Sequence, residues 1–321
     1  MKAGSGLKSV ISGVFRGRKA FGLRSNWTAE GGCPYISPYA LHLHLASVDS
    51  TLDGMPLPLT LAGKVALITG GSRGIGAATV RMFAAADARV ALSYQKARAQ
   101  AEALVAECGA ANSHAIASEL SSPEAARMLV ADTVKHFGRL DILVANHGVW
   151  PAEDVPIELM SDEQWRSTLS INLDAVFRLV KHTVVQMKQQ KKERGKDGQA
   201  DAATGHIVLI SSTSGQRGEA FHCDYSSTKG ALISMTKSLA AELAGDGIYV
   251  NCVAPGWVDT DMSKPALDDP RSGQEIRDTI PLGRVGKPEE IAAPVLFLCT
   301  PHAGFITGEV FNVNGGAVLV G

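Results

Sequence analysis

Seven short apolar runs separated by helix-length stretches, and a glycine-rich turn that follows the first of them, predict an α/β fold. The expected architecture is a doubly wound parallel sheet of about seven strands with helices on both faces. The runs lie at 65–69, 89–94, 114–117, 141–145, 207–210, 249–253 and 309–313. Strand, helix and strand repeated in this way imply right-handed crossovers, which put helices over both faces and bury the strands between them.

The chain has 321 residues, of which 45% are hydrophobic and 20% charged, the balance of a soluble globular protein with a sizeable core. Basic side chains number 31 and acidic ones 32, for a net charge of −1, so nothing indicates the basic footprint of a nucleic-acid partner. No run approaches the ~18 apolar residues of a membrane-spanning helix. The cysteines, Cys33, Cys108, Cys223, Cys252 and Cys299, are scattered and never form a C-x-x-C pair. That usage points to reduced thiols in a cytoplasmic setting, with neither a disulfide framework nor a metal site.

Residues 1–57 differ in character from the rest and are set apart as an N-terminal extension, leaving one domain over 58–321. Before Glu30 there is no acidic residue, whereas Lys2, Lys8, Arg16, Arg18, Lys19 and Arg24 are basic. Leu7, Val10, Ile11, Val14 and Phe15 fall on one helical stripe, the pattern of a mitochondrial presequence. The preferred alternative is a translation start upstream of the working one at Met55, because Gly13, Gly17 and the stretch 34–38 break up regular structure. The charged stretch 189–204 reads as a helix end followed by a solvated loop.

Val65 to Thr69 feed directly into Gly70-Gly71-Ser72-Arg73-Gly74-Ile75-Gly76, and a helix is expected over 77–86. Glycines between a strand and a helix N-terminus let the backbone approach a pyrophosphate, whose charge meets free N–H groups and the positive end of the helix dipole. Directly after the first strand is where a Rossmann-type fold binds a dinucleotide. At the end of the second run, Ser93-Tyr94-Gln95-Lys96 offers no carboxylate for a ribose 2′-hydroxyl. Arg73, with Lys96 or Arg98, can instead meet a 2′-phosphate, so NADP(H) is expected over NAD(H).

The fifth run ends in Ser211, Ser212 and Thr213, and Tyr225 and Lys229 follow. On a helix, a spacing of four stacks the phenol and the ammonium on one face, one turn apart. A phenol has a pKa of about 10, and a fixed neighbouring positive charge is expected to bring it down toward the working range. A hydroxyl such as Ser212 can then share a substrate oxygen with Tyr225.

Together with TGGSRGIG (69–76), ANHG (145–148), Asn172, YSSTK (225–229), NCVAPGWVDTDM (251–262), PLGRVGKPEEIA (281–292) and GEVFNVNGG (308–316), these features resemble the short-chain dehydrogenase/reductase family. The resemblance covers 59–321 and is strongest to the 3-oxoacyl-(acyl-carrier-protein) reductase branch. It implies that Ser212, thirteen positions before Tyr225, hydrogen-bonds the substrate carbonyl and that Tyr225 protonates its oxygen. It further implies that Lys229 grips the nicotinamide ribose and that Asn172 holds a water linking Lys229 to solvent. The implied cofactor site comprises Thr69, Gly70, Ser72, Arg73, Gly74, Ile75 and Gly76, then Tyr94, with Glu119 and Leu120 at the adenine. Asn146 and Gly148 complete it after the fourth strand, and Pro255, Gly256, Val258 and Thr260 after the sixth, besides Tyr225 and Lys229. Two departures stand out: Ala145-Asn146-His147-Gly148 replaces the frequent Asn-Asn-Ala-Gly, and Glu119 replaces an aspartate. His147 brings an imidazole to the cleft, where a packed or hydrogen-bonded role is expected.

The expected activity is NAD(P)H-dependent reduction of a carbonyl, a 3-oxoacyl thioester or a similar small ketone, to a secondary alcohol. Two alternatives stay open. One is an alcohol or sugar dehydrogenase similar to glucose 1-dehydrogenase; the other is a non-catalytic dinucleotide sensor, against which the complete set of Ser212, Tyr225, Lys229 and Asn172 counts. Substrate choice should rest on a loop at 257–284 closing over Trp150 and His147, with Arg217 and Lys264 as candidates for meeting an acidic acyl carrier protein. The helices expected at 163–188 and 224–244 carry Val176, Leu179, Val180, Leu232 and Met235, more than one sheet face covers, which suggests a homodimer or homotetramer.

Overall fold

The computed structural model describes residues 59–195 and 203–319. The chain runs β1 (Val65–Ile68), α1 (Gly74–Ala85), β2 (Arg89–Tyr94), α2 (Arg98–Cys108), β3 (Ser113–Ala117), α3 (Pro123–Phe137) and β4 (Ile142–Ala145). It continues through α4 (Asp162–Leu169), α5 (Ala175–Gly195), β5 (Gly205–Ile210), a single turn α6 (Ser214–Arg217), α7 (Cys223–Leu243) and β6 (Ile248–Pro255). Two short helices, α8 (Lys264–Asp268) and α9 (Pro270–Asp278), precede α10 (Pro288–Leu298) and β7 (Val310–Val313). The strands form one sheet in the order β3-β2-β1-β4-β5-β6-β7, and every neighbouring pair is parallel.

The sequence explains the burial. β1 (VALI) and β4 (ILVA) lack polar alternation and are buried at every position, as strands covered on both faces must be. Alternate side chains feed two cores. Ala66, Ile68, Val90 and Leu92 pack with Val80 and Phe83 of α1, Leu104 of α2 and Val295 of α10. Val65, Leu67, Leu143 and Ile207 pack with Leu129 of α3, Leu179 of α5 and Leu232 of α7. The chain order steps outward from β1 to β3, then returns across the sheet to β4, so the strand order reverses between β1 and β4. Ligands in open α/β sheets bind in the crevice beyond the strand ends at such a reversal.

Two expectations need correction. The single helix expected at 163–188 is interrupted by a π-helical turn, Ser170–Asp174, between α4 and α5. The loop expected at 257–284 contains α8 and α9, the second capped by Asp269, whose carboxylate accepts from the N–H groups of Arg271 and Ser272. The extension at 1–57, with its presequence and late-start readings, lies outside the described residues, as does 196–202 of the charged stretch. No helix among the described residues is long and apolar enough to cross a membrane.

Candidate active site

A cleft of about 460 Å³ opens along the carboxyl ends of the strands. Gly70 and Gly74 adopt positive φ, 62° and 51°, where any other L-residue is strained. A Cβ on Gly76 would lie 2.1 Å from the Gly70 carbonyl oxygen, so the turn folds onto the first turn of α1 only with glycine there. Arg73 at the N-cap makes no side-chain cap, and the first turn of α1 holds no acidic residue. The leading N–H groups of α1 therefore keep the positive end of the helix for a bound anion. This cradle, which side chains would fill, fits the pyrophosphate of a dinucleotide.

Gly70, Ser72, Arg73, Gly74 and Ile75 line the cleft, as do Tyr94, Glu119, Leu120, Asn146 and Gly148. Pro255, Gly256, Val258 and Thr260 line it from the far side. Thr69 and Gly76 do not. Thr69 is fully buried, and its hydroxyl accepts from the backbone N–H groups of Asn146 (3.0 Å) and His147 (3.3 Å), holding the end of β1 to the end of β4. Asn146 donates to the carbonyls of Thr69 (3.0 Å) and Gly70 (3.2 Å), which fixes the glycine turn from below.

Ser212, Tyr225 and Lys229 meet in the same cleft. Tyr225 and Lys229 lie on α7, one turn apart, and Ser212 follows β5. Gly215 lets the two elements touch, since a Cβ there would be 2.5 Å from the Lys229 carbonyl carbon. Ser211 donates to the Lys229 carbonyl (2.7 Å), and buried Asp224 accepts from the Tyr225 N–H (2.8 Å) and from Thr168 Oγ1 (2.8 Å). Lys229 Nζ donates to the Ile210 carbonyl (2.8 Å), and burial pushes the ammonium down to about 8. The phenol departs from expectation. Burial pushes Tyr225 up to about 12; a hydrogen bond with Ser212 opposes this, and the Glu219 carboxylate adds to it. The Lys229 charge, which lies over the ring 5.6 Å from the centroid and gives a hydrogen bond to Ile210, does not outweigh burial. At neutral pH Tyr225 is thus a protonated acid and no phenolate.

Asn172 sits in the π-helical turn, fully buried and outside the cleft lining. Its Oδ1 accepts from Val149 N (2.8 Å) and its Nδ2 donates to Val149 O (2.8 Å), so it clamps the loop after β4. His147 is hydrogen-bonded through Nδ1 to Thr69 Oγ1 at 2.8 Å. Thr69 Oγ1 already accepts two N–H groups, so its own proton goes to Nδ1, nearer than the Val144 carbonyl at 3.4 Å, and His147 is the Nε2–H tautomer. Nε2 is buried and faces the Ile171 carbonyl without a well-aligned hydrogen bond. Burial and the nearby Lys229 charge push this imidazole down to about 4.

Of the cations assigned to a 2′-phosphate, Arg73 and Lys96 line the cleft and Arg98 does not, being paired with Glu102 at 2.7 Å. Arg73 reaches Asp261 at 3.1 Å, both side chains more than half exposed. Glu119 accepts from Gln95 just beyond the end of β2. Arg217 lines the cleft, whereas Lys264 pairs with Asp268 (3.1 Å) away from it. Trp257 and Met262, from the loop at 257–284 expected to set substrate choice, line the cleft, and so does Glu219, which was not singled out from the sequence. Among the described residues no cluster of His, Cys, Asp or Glu could hold a metal ion.

A family profile described as enoyl-(acyl carrier protein) reductase matches residues 70–318. The 3-oxoacyl-(acyl-carrier-protein) reductase of Synechocystis sp. is 37% identical over 262 residues, 81% of this chain and 98% of that protein. The enzyme of that name from Escherichia coli is 37% identical over 265 residues, 82% of this chain and 100% of its own. The crystal structure of a 3-ketoacyl-(acyl-carrier-protein) reductase from Brucella melitensis complexed with NADH superposes with a TM-score of 0.72 at 31% identity, covering 81% of this chain and 100% of that one.

Proposed function

The chain belongs to the short-chain dehydrogenase/reductase family, and from that premise we propose that it is an NAD(P)H-dependent carbonyl reductase that turns a 3-oxoacyl thioester or similar small ketone into a secondary alcohol. The observation that carries this reading is the convergence of Ser212, Tyr225 and Lys229 on one cleft, with Ser212 near enough to the phenol to act on its pKa. Two hydroxyls on one cleft wall can address one oxygen, as reduction of C=O requires. A bound nicotinamide supplies hydride to the carbonyl carbon. Ser212 and Tyr225 both donate to the carbonyl oxygen, and Tyr225 gives up its proton as that oxygen becomes an alkoxide, a stronger base than phenolate. Lys229 stabilises the phenolate left behind and binds the cofactor ribose. Asn172 keeps the loop after β4 in place beside Lys229, where a water can connect the ammonium to solvent.

Gly70, Ser72, Arg73, Gly74 and Ile75 would hold the dinucleotide's pyrophosphate, and Tyr94, Glu119 and Leu120, which line the same cleft, would meet its adenine. NADP(H) is preferred over NAD(H), supported by Arg73 and Lys96 in the cleft and by the lack of an acidic side chain at the end of β2. The substrate can arrive on an acidic acyl carrier protein met by exposed Arg217, and the enzyme works in the cytoplasm. Val176, Leu179, Val180 and Leu232, expected to exceed what the sheet covers, are buried within the chain's own core, so self-association into a homodimer or homotetramer is supported instead by Phe177 and Val185, 54% and 61% exposed on one side of α5. Oxidation of NADPH and NADH by acetoacetyl thioesters and diketones, set against reduction of NADP+ and NAD+ by sugars, tests the reading. Turnover confined to sugar oxidation would replace it with the dehydrogenase alternative.

A further inference from the structure

The substrate half of the cleft is bounded by Val149, Trp150, Trp257 and Met262. Trp150 and Trp257 meet edge to face, with ring centroids 5.8 Å apart and planes at 85°. Two indoles at right angles make a corner, which suits a flat ligand better than a flexible one. The corner is braced from behind. Trp150 lies on the imidazole of His222, with centroids 5.0 Å and planes 14° apart. His222 is itself buried, its Nε2 2.8 Å from the Pro151 carbonyl and its Nδ1 3.1 Å from that of Ala220. His222 is the N-cap of α7, three residues before Tyr225, so the aromatic wall and the phenol share one rigid helix start. A wall held this way gives up little side-chain freedom when a ring stacks on it, whereas a straight chain must lose its own rotamers there.

Glu219 adds a carboxylate to a region that also holds Arg217 and Lys229. Its carboxylate lines the cleft, accepts from the hydroxyl of Ser214, and acts on the phenol of Tyr225. A substrate bearing its own carboxylate beside the carbonyl would bring two like charges together in a partly enclosed space.

We infer that the preferred substrates are neutral carbonyl compounds with a flat ring beside the carbonyl, aryl or cyclic ketones, seated in the Trp150–Trp257 corner, and that Glu219 turns away keto acids. This rests on the carbonyl-reductase reading above. Acetophenone and 2-octanone, matched in carbon count, test the corner. The ratio of their kcat/KM values in the unmodified enzyme should favour acetophenone by about tenfold or more. Trp257→Leu and Trp150→Leu should each narrow that ratio to about threefold, mainly through KM for acetophenone. Acetoacetate against its methyl ester tests the charge: Glu219→Gln should raise the acid-to-ester ratio about fivefold or more. NADPH fluorescence titration of each variant checks that the cofactor cleft is intact. If a tryptophan variant does not fold, the unmodified enzyme and Glu219→Gln still decide. A ring-to-chain ratio near one, a ratio that survives both tryptophan changes, or reduction of acetoacetyl thioesters without acetophenone overturns this inference and leaves carbonyl reduction standing. No turnover of any carbonyl by cofactor-bound enzyme removes both.

Discussion

The ammonium of Lys229 lies 5.6 Å from the centre of the Tyr225 ring and donates a 2.8 Å hydrogen bond to the Ile210 carbonyl. Burial lowers its pKa to about 8, so Lys229 carries its charge below that pH and loses it above. Since the charge favours departure of the Tyr225 proton, kcat/KM for reduction should be level up to about pH 8 and fall beyond it. Lys229→Met should lose this alkaline limb and run about 10²-fold slower at neutral pH. A pH profile in which the limb persists in the variant assigns it to another group.

Arg73 and Asp261 form an exposed pair at 3.1 Å, of the kind that contributes about 0–1 kcal/mol and rearranges readily. Arg73 is therefore free to turn toward a 2′-phosphate. Arg73→Glu should weaken NADPH binding about tenfold or more and leave NADH within about threefold. Equal losses for both cofactors, measured by fluorescence titration, would remove the basis for an NADP(H) preference.

His147 and His206 are both pushed down to about 4, first by burial and then by the nearby charges of Lys229 and Lys64 respectively. An unfolded-chain histidine titrates near 6.5, so between pH 6.5 and 4 the unfolded chain takes up protons that the native protein refuses. The stability is present above pH 6.5 and is lost as pH falls through that window, by about 3 kcal/mol per histidine at most. His206, stacked on Tyr249, is the cleaner probe because it lies away from the cleft. In urea titrations at pH 6.5 and 4.5, His206→Phe should lose less stability than the unmodified protein. Parallel losses in the two proteins would contradict the assignment.

Much of the fold was legible in the chain because the inner strands are largely buried apolar runs and many cleft residues sit just past a strand end. Gly70, Asn146, Ser212 and Pro255 follow this rule one by one. The π-helical turn at Ser170–Asp174 was not legible, because one extra residue in a turn leaves the surrounding helical period intact. Nor were α8 and α9, which are short and carry few apolar residues. The Tyr225 pKa went the wrong way for a different reason: spacing brings Lys229 near the ring, but burial and Glu219, which decide the sign, are set by the tertiary packing. Asp224 and His222, which fix Tyr225 and Trp150, read in the chain only as polar residues at a helix start.

The claim on which this account depends is that Tyr225 passes its proton to the carbonyl oxygen. It is tested most directly by Tyr225→Phe, with NADPH affinity and ketone-dependent NADPH oxidation measured on the same preparation. The account predicts unchanged NADPH binding and a kcat about 10³-fold lower. A variant that binds NADPH normally and keeps kcat within about tenfold of the unmodified enzyme would contradict it.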